Sequence, residues 1–165
     1  MKTLAHLQSN KGLVPENLSS LMTSREVTIE HLEKVERQLQ SFQGDNTTVK
    51  STFANGIYVR QCIAPAGTFL IGAIQRTEHI AIMAYGHMMM WTAGQKAKEL
   101  NGYWSGKCQP GVKRASYTFK ETMFITCHKS LGEPKDDEDI RRVYTFRDSA
   151  EMLAYQEANG NLALT

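Results

Sequence analysis

The chain has 165 residues, with a net charge of +2 and 22% charged residues. That length suits a single domain with a substantial core. The near-neutral balance removes any global reason to expect a nucleic-acid polymer or a membrane surface as partner, and no apolar run approaches the length of a membrane span. The three cysteines, Cys62, Cys108 and Cys127, are odd in number and widely spaced, with no CxxC pair. Such usage fits a reducing compartment and argues against a disulfide framework or a zinc knuckle. The first residues, MKTLAHLQSNKGLVPEN, lack the apolar stretch of a signal peptide, so a cytoplasmic location is expected.

Residues 1–22 are mixed, contain Gly12 and Pro15, and read as an arm with at most short helical turns. Thr23-x-x-Glu26 has the form of a capping box. After it, Ile29, Leu32, Val35, Leu39 and Phe42 recur at spacings of three and four, and Gly44 ends the run. The pattern predicts an amphipathic helix over roughly Ser24 to Gln43.

From Val49 the texture changes to short runs rich in β-branched and aromatic residues. These are Ile57–Ala64, Thr68–Ile74, His79–Ala84, His87–Thr92, Ala115–Phe119 and Met123–His128. Turn signals separate them: Asn55-Gly56, Pro65-Ala66-Gly67, Tyr85-Gly86, Ala93-Gly94 and Pro110-Gly111. Many short strands at this spacing predict an antiparallel sandwich or barrel, with the helix packed outside it. Gly132–Arg142 reads as a polar loop, and Asp148-x-x-Glu151 as a capping box opening a short helix to about Ala158, stopped by Asn159-Gly160. The domain expectation is an arm and helix over 1–48 and a barrel with its C-terminal helix over 49–165, together one structural domain.

The charge is uneven. Between Gly94 and Lys120 stand Lys96, Lys98, Lys107, Lys113, Arg114 and Lys120 against the single acid Glu99. A solvated surface is the ordinary explanation; a basic lip at an anion-binding mouth is the sharper one. The run Met88-Met89-Met90-Trp91 is explained best by a strand covered on both faces, and less well by a Met-rich ligand surface. Tyr103, Trp104 and Tyr117 either stack a flat ligand or close the barrel. No nucleophile elbow, phosphate loop or HExxH is present.

The stretch Tyr58–His128 resembles the cupin superfamily, the RmlC-like jelly-roll barrels, and within it the short cupin-like proteins of bacteriophages. The residues that carry the likeness are the Pro65-Ala66-Gly67-Thr68 turn, the Glu78-His79 pair, and Pro110-Gly111 followed by Lys113-Arg114 and Tyr117 before a strand ending in His128. The first cupin motif spaces a glycine, two histidines, a glutamate and a second glycine. Gly67 and Gly86 keep that spacing, but Ala73 and Gln75 stand at the histidines and His79 at the glutamate. In the second motif, aligned on Gly111, Arg114 takes the remaining histidine's position and Thr118 the asparagine's.

The resemblance implies a mainly β chain, an antiparallel cupin barrel with an N-terminal amphipathic helix and a short C-terminal helix. It places Gln75 and His79 inside the barrel. Ala73 has no ligating atom, and Arg114 is a fixed cation that repels a divalent metal at close range. No cofactor is therefore expected; were a metal held, its ligands would come from His79, His128 and Gln75. The expected ligand-binding set is Gln75, His79, Arg114, His128 and Tyr117. The favoured function is a non-catalytic barrel binding a small anion, with a phage decoy that sequesters a host signalling nucleotide as its sharpest form. Two alternatives stand beside it: a metal-dependent cupin enzyme with a degenerate histidine site, and a structural or host-protein-binding phage protein. A homo-oligomer is expected, because a small barrel tends to hide its sheet edges against a second copy.

Overall fold

The computed structural model describes the backbone of 7–8 and residues 26–39, 47–132, 134 and 136–160. The elements in chain order are β1 (Leu7–Gln8), α1 (Ile29–Leu39), β2 (Thr48–Ala54), β3 (Ile57–Ala64), β4 (Thr68–Ile71), β5 (Ile74–Gln75), β6 (His79–Thr92), β7 (Lys98–Asn101), β8 (Trp104–Cys108), β9 (Arg114–Lys129), α2 (Asp137–Tyr144), β10 (Thr145–Phe146) and α3 (Ser149–Asn159). Every strand pairing among them is antiparallel. The expected antiparallel barrel with a helix outside is what forms.

Its frame is a long ribbon of β6 and β9. One edge of β9 carries β4 and then β3, with β2 beyond, and the far edge of β6 carries β8 and β7. The ribbon rolls around a cavity, as in a jelly roll. Two separate strands had been expected on each side of Tyr85-Gly86; instead β6 runs through, and so does β9. Register shifts between Met83 and Met88 replace the turn. Gly86 sits at φ 121°, and a Cβ there would lie 2.3 Å from Thr122 Oγ1, so only glycine lets the two strands approach. The shift also changes the phase of β6. His79 before it and Met88 and Met90 after it all face the cavity, although strict alternation would put them on opposite faces.

Two further strands, β7 and β8, lay unrecognised in the sequence. Both pair antiparallel with β6, β7 along His87–Met90 and β8 along His79–Met83, so they run on in line along one edge of β6, joined through Gly102 at φ 78°.

Helix α1 packs on the outer face of β4, β6 and β9. Leu32, Val35 and Leu39 are buried there with Val27 against Phe69, Ile71, Trp91 and Ala115. Burial of such a side chain contributes about 1.5–3 kcal/mol. The start of the helix differs from expectation. Glu26 is extended and bridges to Lys96, and Thr28 caps the helix, its Oγ1 accepting from His31 N at 3.2 Å. Thr23, Phe42 and Gly44 lie outside the described residues, as does most of the 1–22 arm.

The expected polar loop over Gly132–Arg142 is corrected by α2. Asp136 caps it, accepting from Glu138 N and Asp139 N, with acids in the first turn and Arg141 and Arg142 in the last. That placement matches the helix dipole. Helix α3 follows the sequence expectation, with Asp148 as N-cap and Gly160 at φ 84° closing it.

Candidate functional site

A cavity of about 190 Å³ lies inside the roll. Its walls are the inward residues of β3, β4, β6 and β9, with Ile140, Arg141 and Tyr144 of α2 and Thr145 of β10. The segment carrying α2 is strapped to the barrel. Thr145 and Phe146 pair with Gln75 and Ile74, Arg76 N donates to Tyr144 O at 2.9 Å, and the Arg76 side chain bonds Thr145 O and Glu151 while covering the Phe146 ring at 4.1 Å.

Of the five residues expected to bind ligand, Gln75, His79, Arg114 and His128 line this one cavity. Tyr117 does not. It lies one residue out of phase with Arg114, Ser116 and Thr118 on β9, and it packs from outside on the cluster under α1 and edge-on against Phe119. Thr118 lines the cavity but is occupied by the Pro65–Thr68 turn: its Oγ1 accepts from Thr68 N at 3.0 Å and donates to Pro65 O. Met88 and Met90 face in, whereas Met89 and Trp91 face α1, so both faces of that strand are covered.

A row of rings crosses the sheet at one register: Phe53 on β2, Tyr58 on β3, His128 on β9 and His79 on β6, with Cys108 on β8 at its end. The rings stack in sequence, Phe53 on Tyr58 at 4.6 Å, Tyr58 on His128 at 5.5 Å and His128 on His79 at 4.4 Å. Tyr144 closes over Tyr58 and His128 from α2. Both imidazoles are 4% exposed. Burial lowers the pKa of His79, and Arg114 lowers it further, against the opposing effect of the Thr77 carbonyl. Burial takes His128 down to about 3, with His79 and Arg60 adding to the effect. Both are neutral at pH 7. His79 Nδ1 lies 3.2 Å from Thr77 O, and His128 Nδ1 is buried with no hydrogen-bond partner among the described residues.

Three arginines line the cavity, Arg60, Arg114 and Arg141, and among the described residues no aspartate or glutamate does. Arg114 donates from Nε to Thr92 Oγ1 at 3.3 Å; among the described residues no carboxylate pairs with it. Arg60 and Arg141 were missed in the sequence. Arg60 was legible by alternation from Tyr58, but Arg141 depends on a helix that had read as loop. Two members of the basic run are paired with carboxylates. Lys113 is 1% exposed and gives its Nζ to Glu36 Oε2 on α1 at 2.8 Å, and Lys107 pairs with Glu78. Lys96, Lys98 and Lys120 stay exposed, while Arg60, Arg114 and Arg141 put positive charge inside the barrel.

A metal does not fit these residues. The two histidines stack with only 20° between their planes, so their in-plane lone pairs run side by side instead of converging on one point. Gln75 turns its Nε2 to Ala73 O, and Arg114 adds a fixed cation. No group of three or more His, Cys, Asp or Glu among the described residues is placed to hold an ion.

No protein-family model matches the chain, and no curated protein does. Solved structures similar to it include RmlC-like cupins with a double-stranded β-helix fold. One, from Methanocaldococcus jannaschii, is 11% identical, covers 53% of this chain and 84% of its own, and has a TM-score of 0.44. KdgF from Halomonas sp. is 11% identical over 58% of this chain and 86% of its own, with a TM-score of 0.46. Ectoine synthase from P. lautus is 9% identical over 53% of this chain and 67% of its own, with a TM-score of 0.45. The likeness spans little more than half of the chain in each case.

Proposed function

We propose that the chain is a cupin-type barrel that binds a small anionic molecule without transforming it. The observation that carries this reading is the composition of the cavity wall, three arginines and two neutral histidines with no carboxylate among the described residues. Guanidinium groups match carboxylate and phosphate geometry, and they stay charged when enclosed. In a cavity of limited polarity such contacts are worth more than in water. Nothing in the wall offers a carboxylate pair for acid–base work or a converging ligand set for a metal, so binding accounts for the site better than turnover. A phage-encoded barrel that sequesters a host signalling nucleotide is the finer form of the same reading. In that form the phosphate enters first and the base stays at the mouth, because about 190 Å³ is below the 300–1,000 Å³ or so of pockets that enclose drug-sized ligands.

Calorimetry with inorganic phosphate, small carboxylates and nucleotides tests the reading. Wild-type protein is expected to bind at least one of these anions, and Arg114→Glu to weaken that binding by about 2 kcal/mol or more while retaining the wild-type fold by circular dichroism. Absence of heat across the panel would sink the reading and favour an interaction role through the outer surface.

A further inference from the structure

We infer that the ligand is a compact hydroxy acid or hydroxylated phosphate monoester, of about one ring in size, whose hydroxyl group donates to His79 while its anionic group meets the arginines. The inference rests on the anion-binding reading and specifies its chemistry.

The first step is the tautomer of His79. Its Nδ1 is 3.2 Å from the Thr77 carbonyl oxygen. A carbonyl only accepts, so Nδ1 carries the proton. Burial keeps the ring neutral, which leaves Nε2 a bare lone pair. No group among the described residues donates to that nitrogen. His79 lines the cavity, so this acceptor can take a hydrogen bond from a donor that a ligand brings.

The second step is orientation. Tyr58, His128 and His79 lie face against face. Each ring lies face against its neighbour in the row, so the row presents ring edges to the cavity. An edge reads hydrogen-bonding groups; it does not offer a platform for a flat ligand. The aromatic row therefore selects for a polar hydrogen on the ligand.

The third step is charge. Arg114 acts electrostatically on both His79 and Cys108, its cross-strand neighbour, so a cation lies close to the acceptor. A ligand ammonium would be repelled by the three arginines, whereas a hydroxyl is not. Anion and neutral donor on one small molecule is the combination that satisfies both. The fourth step is size. A cavity of about 150 Å³ accommodates benzene, and the 190 Å³ here admits one ring with small substituents.

Hydroxybenzoates and the matching methoxybenzoates test this as probes, with benzoate, inorganic phosphate and AMP alongside. At least one hydroxybenzoate isomer is expected to bind about tenfold or more tightly than its methoxy counterpart, and AMP no more tightly than inorganic phosphate. In His79→Phe the hydroxy-to-methoxy ratio is expected to fall to near one. Equal binding of hydroxy and methoxy probes overturns the inference, as does tighter binding of AMP, or a preference that survives His79→Phe. Where His79→Phe does not fold, nitrogen-15 NMR of the wild-type imidazoles replaces it. The Nδ1–H tautomer of His79, with an Nε2 resonance that moves on adding the hydroxybenzoate, supports the inference; an Nε2–H tautomer overturns it. If neither benzoate, phosphate nor AMP binds at all, the anion reading itself has failed, which the hydroxy-to-methoxy comparison keeps separate.

Discussion

His128 stands between Tyr58 and His79, with Tyr144 edge-on above it and Arg60 acting on it from β3. Its folded-state pKa of about 3 lies below the ordinary 6.5, so the unfolded chain takes up the proton first as pH falls. The neutral, buried ring thus adds stability that is complete above about pH 6.5 and is lost progressively towards pH 3. Urea unfolding of the wild type is expected to lose on the order of 2 kcal/mol from this residue between pH 7 and pH 4.5. His128→Phe keeps the stacked ring and removes the titration, so its stability should decline less steeply over the same range. Parallel declines in the two proteins would refute the assignment. Gln75, His79, Arg114 and His128 were legible as a set because the glycine spacing and strand alternation give phase. Tyr117 failed on that same phase, being one residue away from its inward neighbours.

Helix α1 is held by more than its apolar stripe. Glu36 receives the buried Lys113 ammonium, and Glu33, 9% exposed, accepts from both the backbone N and the Oγ of Ser149 at the start of α3. Two charged side chains of one helix thus reach the barrel and the C-terminal helix. Removing one partner of a buried ion pair leaves the other charge unpaired, and the usual cost is about 3–5 kcal/mol. Glu36→Gln falls below that range because its side chain is 20% exposed, so a loss of about 2 kcal/mol in chemical unfolding is expected. The double substitution Glu36→Leu with Lys113→Met is expected to recover most of it, since two apolar groups of similar volume replace the pair. A double variant no better than the single would show that the pair acts independently of its charges. Sequence periodicity predicted α1 and α3 well. It missed α2 because only Ile140 and Tyr144 of its eight residues are buried, too few to set a period. It missed the continuity of β6 because a glycine bulge and a turn glycine look alike in one dimension, and that of β9 because the polar Lys120-Glu121-Thr122 reads as a break between two apolar runs.

The outer face of β3, β9 and β6 carries an apolar stripe. Val59, Cys127 and Ile80 form one cross-strand row and Gln61, Ile125 and Ile82 the next, while Ile57 and Ile80 are 50% and 44% exposed. Contiguous apolar surface of this kind marks an interface, and we propose that a second copy covers it. Sedimentation at micromolar concentration is expected to give a dimer, and Ile80→Lys combined with Ile125→Lys a folded monomer. A wild type that sediments as a monomer would remove the assembly proposal.

The amino-acid sequence by itself determined the β-rich character of the chain, most of its turns, its outer helices α1 and α3 and the inward phase of the residues around His79 and His128, since each follows from local periodicity and backbone preference. Only the tertiary structure decided which charges are enclosed. Lys113 and Arg114 are adjacent in sequence, yet one is buried against Glu36 and the other lines the cavity. Alternation sends neighbouring side chains to opposite faces of a strand, but what waits on each face comes from elements distant in the chain: α1 on one side, and on the other the barrel interior closed by α2.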